Sequence, residues 1–306
     1  MLTCDTYHMP ESLQEALEVW AGAASGSRIV SGATDILPWA REGRAGDVHL
    51  PELVDVTRIS ELDGYVFENG RVRLGANTVY QDFLTDQTLM RSLPCMPYCA
   101  IWFADDQIRE QASLTGNLVN ASPVADGTPA VAALNGEIEL ARLDSGGIAR
   151  RRVPVIDFIE GPGRTQIAGD EIATAVIVDT ANGYGGSFQK VGQRRSLVIS
   201  VACCAALVKA DRDGRVIEDA RLALGGVGPR PIRMLDAERA LRGEQISHAL
   251  IERVAQTAAD TVASRSRQEY RREVVVNFVR AAIEDALADQ TDAEIKFADA
   301  KEQAHV

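Results

Sequence analysis

The chain has 306 residues, 46% of them hydrophobic and 25% charged, which is normal for a soluble globular protein of two or three modest domains. Its formal net charge of −12 argues against nucleic acid as the main partner. Phosphate neutralisation needs clustered Lys and Arg, and the one basic run, Arg150–Arg152, is short. No stretch approaches the roughly 18 apolar residues of a membrane span. Met1–Trp20 lacks the basic start and apolar centre of a secretory signal, so a cytoplasmic setting with reduced thiols is expected.

In chain order, Ser12 is placed to cap a helix carrying Leu13, Ala16, Leu17 and Trp20 at helical spacing. Arg28–Val30 reads as a strand ending in the turn Ser31-Gly32-Ala33-Thr34-Asp35, and Ile36–Arg41 as the start of a helix. Val54–Val56 and Val72–Leu74 read as strands, Val79–Asp86 as a helix, and Leu89–Trp102 as helical but broken by Pro94 and Pro97. A polar, Gly-containing stretch follows over Ser113–Asp126. Pro129–Leu134 reads as helix, Glu137–Arg142 and Ile172–Val178 as strands. The Gly-rich Gly183–Gly186 suggests a domain boundary. Beyond it Ser187–Lys190, Val198–Lys209 and Val216–Leu224 read as three strands, the last two joined by an Asp-Arg-Asp-Gly turn. Met234–Leu241, Ser247–Ser264 and Tyr270–Ala288 read as helices, and the tail from Asp289 is polar.

Two turns carry the chemistry. Small residues in Val30–Ile36 let backbone N–H groups approach an anion, and Ser31 and Thr34 add hydroxyl donors. A tight turn capped by Asp35 is the plainer alternative. Ser113–Asp126 is costly to bury unless its polar groups find partners. A ligand rich in phosphate and amide groups would supply them; a surface loop held by Asx and Ser/Thr turns would not need one. Neither turn has the spacing of a P-loop or a Rossmann fingerprint. The five cysteines, Cys4, Cys95, Cys99, Cys203 and Cys204, lack the paired spacing of a zinc or iron–sulfur site, and none of the four histidines has metal-ligand spacing. No hydrolytic triad is evident. The expected sites are therefore catalytic: none, and metal: none.

The segment from Phe103 through Gln107-Ile108-Arg109 to Ser122-Pro123 and Asp126 resembles the signature of FAD-binding medium subunits of the xanthine dehydrogenase and carbon monoxide dehydrogenase family of molybdenum hydroxylases. Ser31-Gly32-Ala33-Thr34-Asp35-Ile36-Leu37-Pro38 is similar to that family's first turn. Phe188–Leu197 and Gly225–Arg233 resemble two of its later motifs. The resemblance implies an α+β protein. Two N-terminal α/β subdomains of the PCMH-type FAD-binding fold would cover residues 1–58 and 59–182. A C-terminal domain over 183–289 would hold a three-stranded antiparallel sheet and helices, and 290–306 would form the tail.

It also implies site roles. Val30, Ser31, Gly32, Ala33, Thr34, Asp35 and Ile36 would cradle the FAD pyrophosphate. Ser113, Gly116, Asn117 and Val119 would line the flavin and its phosphates, and Asp126 would hold a ribityl or ribose hydroxyl. Phe103 and Ala104 would sit near the adenine, with Ile172 or Ala173 packing on it. Lys190 would reach the cleft from the C-terminal domain. Phe103 as core and Lys190 as an exposed strand residue are the competing readings. The chain departs from the family where Ala33 and Thr115 replace glycines and Glu110 replaces Asn. A Cβ at a position needing positive φ costs roughly 1 kcal/mol or more. Thr115 also brings a hydroxyl that would be available to flavin or phosphate.

By the same resemblance, a large partner carries the molybdenum cofactor and a small partner two 2Fe–2S clusters. Electrons would pass to FAD here and on to an external acceptor, in a heterotrimer or a dimer of heterotrimers. Arg194 and Arg195 form a surface pair or a steering patch for an anionic acceptor. Pro94–Phe103 is a candidate docking surface. The rival readings are a self-sufficient FAD oxidase or reductase of the same fold, and a cofactor-free scaffold.

Overall fold

The computed structural model describes residues 1–41, 48–194 and 197–290. Arg195, Ser196 and the tail from residue 291 lie outside the described residues.

The first sheet is parallel, with strands β1 (Leu2–His8), β2 (Arg28–Val30) and β3 (Val48–Asp55) in the order β1-β3-β2. Helix α1 (Leu13–Gly22) follows β1, and Ser12 caps it by accepting from Glu15 N–H at 3.2 Å. Its buried Leu13, Ala16 and Leu17 pack with Val54 and Val56, and also with Ala141 and Ile172 of the next sheet. One helix face thus joins the two N-terminal sheets. β1 carries no apolar alternation, so it was not expected as a strand; pairing with β3 from Leu2↔Val48 to His8↔Val54 makes it one. Helix α2 (Ile36–Arg41) closes the first turn.

The second sheet is antiparallel throughout. Its strands β4 (Tyr65–Glu68), β5 (Arg71–Gly75), β6 (Glu137–Asp144), β7 (Gly147–Pro154) and β10 (Ile172–Asp179) run in the order β4-β5-β10-β6-β7, with β8 (Ile159–Gly161) and β9 (Arg164–Thr165) forming a separate small hairpin. The basic run Arg150–Arg152 lies on the edge strand β7, where charge discourages pairing with another chain. Short helices α3 (Asp82–Thr85), α4 (Gln87–Ser92), α5 (Cys95–Trp102), α6 (Asp106–Arg109), α7 (Leu114–Val119), α8 (Gly127–Ala133) and α9 (Val155–Phe158) fill the connections. Pro94 separates α4 from α5, whereas Pro97 is tolerated in the first turn of α5, where N–H groups have no helical partner.

The third sheet has four strands rather than three: β11 (Gly185–Val191), β12 (Ala202–Ala210), β13 (Ile217–Gly225) and the two-residue β14 (Ile232–Arg233). β14 is too short to show a period. β12 is buried on both sides. Cys203, Ala205 and Leu207 join the core of the second region, and Ala202, Cys204, Ala206 and Val208 join the core beneath α10 (Leu235–Leu241), α11 (His248–Gln256) and α12 (Gln268–Asp289). The expected Ser247–Ser264 helix ends at Gln256 and continues as a 3₁₀ turn, Thr257–Thr261.

Glycines set the approach of these layers. A Cβ on Gly186 would lie 2.2 Å from the Pro94 carbonyl carbon, and one on Gly185 would lie 1.8 Å from Ala286 O. Asp289 adds a tether, accepting from Gly186 N–H at 2.9 Å and Tyr98 Oη at 2.5 Å. Pro94–Phe103 is consequently no docking surface along its length. Cys95, Met96, Cys99 and Ala100 are fully buried against β11 and the second core, and only Trp102 is substantially exposed. All four buried thiols are raised in pKa by desolvation, Cys95 and Cys204 to about 12.

Candidate functional site

The first turn leaves β2 at the buried Val30 and enters α2 at Ile36. Gly32 has no room for a side chain: a Cβ there would lie 1.7 Å from Gln111 O and 3.3 Å from Ala112 N. Its backbone is pressed onto the residues that lead into the second segment. Ala33 has a φ of 54°, so the position normally suited to glycine is held here by a strained alanine. Ser31 Oγ donates to Asn77 Oδ1 at 3.0 Å, and the Asn77 amide donates to Val56 O and Asp63 Oδ1. Asp35 accepts from Asn120 Nδ2 at 2.7 Å. The two turns are therefore fastened to one another across 85 residues of sequence.

The second segment is not an open loop. Ser113 caps α7, accepting from Gly116 N–H at 3.1 Å. The entry is pinned where Leu114 N–H donates to Thr78 O at 2.9 Å and Tyr80 N–H to Ala112 O at 3.1 Å. Asn117 Oδ1 accepts from Tyr80 Oη at 2.9 Å and Gly127 N–H at 3.2 Å, which makes it a brace between helices. Gly116 is exposed, and Val119 is half-buried against the second core.

Among the described residues, the N–H groups of Gly32, Ala33, Thr34, Asp35 and Thr115 donate to no protein acceptor. Thr115 is 5% exposed, and its Oγ1 is buried without a partner. Buried polar groups are rarely left so. The four consecutive unpaired N–H donors of Gly32 to Asp35, at the entry to α2, fit an anionic, oxygen-rich ligand such as a dinucleotide diphosphate.

The remaining expected residues divide. Phe103 stacks on the buried Tyr80 with centroids 3.7 Å apart and planes 2° from parallel, so one face is spent on packing. Ala104 follows at φ 45°, its conformation accompanied by Arg109 donating to Phe103 O at 2.9 Å. Ile172 is 1% exposed in the first core and has no surface left for a ligand, whereas its neighbour Ala173 packs against the second core and stays partly open. Lys190 is not an exposed strand residue. Its Nζ donates to Asp126 Oδ2 at 2.5 Å and Trp102 O at 2.9 Å, while Ser200 Oγ donates to Asp126 Oδ1 at 2.5 Å. Burial pushes the Asp126 carboxyl up, and Lys190 and Ser200 pull it back. Asp126 and Lys190 thus clasp β11 to the second region, and both Asp126 oxygens already have protein donors. Arg194 donates to Leu197 O.

Sequence reasoning missed Asn77, Tyr80, Gln111, Asn120 and Ser200. Their roles arise from contacts made between distant segments, which the local sequence does not show.

The two halves of the chain match known families. Residues 3–180 match the FAD binding domain in molybdopterin dehydrogenase, and residues 187–286 match the CO dehydrogenase flavoprotein C-terminal domain. The chain is 30% identical over 275 residues to the glyceraldehyde dehydrogenase medium chain of Sulfolobus acidocaldarius, covering 88% of this chain and 94% of the relative. It is 27% identical to the xanthine dehydrogenase FAD-binding subunit of Escherichia coli, covering 92% and 96%. Among solved structures, carbon monoxide dehydrogenase from Hydrogenophaga pseudoflava superposes with a TM-score of 0.83 at 25% identity, covering 92% of this chain and 97% of that one. With both regions accounted for along nearly its whole length, this chain belongs to the family of FAD-binding medium subunits of molybdenum-containing dehydrogenases, a family of oxidoreductases.

Proposed function

We propose that this chain is the flavin subunit of a heteromeric molybdenum hydroxylase, receiving electrons from 2Fe–2S clusters on a small partner and passing them to an external acceptor. A large partner would hold the molybdenum cofactor and the organic substrate. The observation that carries this reading is the fastened pair of turns, with Gly32 seated on Gln111 and Asn120 bonded to Asp35, which leaves a row of N–H groups unpaired. FAD, when bound, supplies redox chemistry that joins one-electron donors to one- or two-electron acceptors.

The chain's own residues would bind and orient it. The N–H groups of Gly32, Ala33, Thr34 and Asp35 would donate to diphosphate oxygens, with Ser31 holding the turn through Asn77. Ser113, Gly116 and Val119 would line the cofactor, and Asn117 would fix that wall through Tyr80. Ala173 is the available adenine contact rather than Ile172, and Ala104 borders the same region. Lys190 and Asp126 would close the cleft by docking the C-terminal region. Residues 1–58 and 59–182 would act as the two cofactor-holding subdomains, and 183–289 as the closing domain. Five free cysteines agree with a cytoplasmic setting. Among the described residues no helix is long and apolar enough to cross a membrane.

The test is a visible spectrum and a pull-down. The natively purified protein is expected to be yellow, absorbing near ~450 nm, as bound flavins do, and to copurify with a molybdenum subunit and an iron–sulfur subunit. A native complex without flavin that also fails to take up added FAD would end this reading.

A further inference from the structure

We propose that the open cavity where β7, the β8–β9 hairpin and the loop before β14 meet is a second anion site, which takes a phosphate-bearing ligand. It shares no residue with the turns at Gly32 and Gly116, and it does not depend on the flavin reading.

The cavity has a volume of about 740 Å³, which is within the range of small-molecule sites. Four arginines line it, Arg151, Arg152, Arg164 and Arg230, against two carboxylates, Asp157 and Glu160. The site thus carries an excess of two positive charges in a chain of net charge −12. No aromatic side chain lines it, which suits a charged group rather than an apolar ring.

The arginines are placed by different means. Arg151 grips both oxygens of Glu171 at 2.6 and 2.7 Å and donates from Nη2 to Gln166 O at 2.6 Å, so its guanidinium is fixed while Nη1 is left unengaged. Arg152 Nε stands 3.6 Å from Glu139 Oε2. Arg164 folds back over β8, where a Cβ on Gly161 would lie 3.4 Å from its Nη2. Arg230 stands between Pro229 and Pro231, whose rings stiffen the loop and favour an extended backbone at Arg230. Among the described residues neither Arg164 nor Arg230 has a hydrogen-bond or ion-pair partner, although Asp157 and Glu160 line the same cavity. Like charges gathered without a counter-ion repel, and a phosphate group accepts from several guanidinium groups at once in the forked geometry they present. Arg230 comes from the C-terminal region and the other three from the second, so a bound anion would be shared between the two regions.

Inorganic pyrophosphate is the probe, titrated calorimetrically into the full chain at constant ionic strength with FAD at saturation, so that the turn at Gly32 is filled. Uptake is expected, and Arg164→Gln and Arg230→Gln are each expected to raise the pyrophosphate Kd about tenfold. Both variants should hold FAD within about twofold of the unaltered chain. Asp157→Asn removes a charge that opposes the anion and is expected to lower the pyrophosphate Kd about threefold. No uptake, uptake that neither arginine variant weakens, or arginine variants that lose FAD as strongly as pyrophosphate would overturn the proposal. A chain that takes up no FAD would remove the flavin reading alone; the same titration without FAD, read through the arginine variants, would still decide this site.

Discussion

The junction of the two turns makes a sharp prediction at two neighbouring residues of similar size. Gly32→Ala would place its Cβ 1.7 Å from Gln111 O and 2.5 Å from Gln111 C. Both obstacles are backbone, so no flexible side chain can swing away. The turns must part by roughly 1.3 Å to restore a tolerable contact, and overpacking of this kind costs about 1–3 kcal/mol. The upper end is expected, because the 2.7 Å bond from Asn120 to Asp35 stretches with the separation. At the next residue the sign reverses. Ala33 sits at φ 54°, so Ala33→Gly relieves backbone strain of about 1 kcal/mol while adding a similar unfolded-state entropy. The net effect on stability is about zero or slightly favourable. The assay is thermal unfolding of the flavin-free chain paired with FAD titration. Gly32→Ala is expected to lower Tm and raise the FAD Kd at least about tenfold, since misplacing binding groups by about 1 Å is enough. Ala33→Gly is expected to change neither by much. Equal behaviour of the two variants, or an unchanged Kd in Gly32→Ala, would refute the claim that close backbone contact builds the site.

Other perturbations follow from the same contacts. Lys190→Met leaves the Asp126 carboxylate buried without its counter-charge, and urea unfolding should show a loss of about 3–5 kcal/mol, much of it regained in a double variant that also carries Asp126→Leu. Gly185→Ala would force β11 off α12, because its Cβ meets Ala286 O at 1.8 Å; limited proteolysis should then release the C-terminal helix far faster than in the unaltered chain. Arg151 donates to both oxygens of Glu171 at 2.6 and 2.7 Å and holds that carboxyl below the usual range. Its contribution is therefore complete above the unfolded glutamate value of about 4.3 and is lost as pH falls through the depressed folded value. Glu171→Gln should flatten the acid limb of a Tm-versus-pH curve and leave a Tm at pH 7 lower than that of the unaltered chain; an unchanged acid limb would contradict this assignment.

Local chemistry alone specified a good share of the molecule. Ser12 and Glu15 mark the start of α1, the Asp211–Gly214 turn joins β12 to β13, and the doubly buried run Ala202–Val208 needs no partner to be read as a strand. These are short-range effects, in which capping, turn geometry and apolar content act within a few residues. The family motifs around Gly32 and Gly116 were legible for the same reason, being contiguous. What contiguity could not tell was which polar groups would be consumed. Whether Lys190 faced solvent, whether Asp126 kept an open oxygen, whether Ile172 or Ala173 stayed accessible and whether Thr115 found a partner all depended on segments far away in the chain. β1 and β7 likewise became strands only through their neighbours, since neither carries an apolar period of its own. Burial and hydrogen-bond satisfaction are properties of the assembled chain, and tertiary packing decided them here.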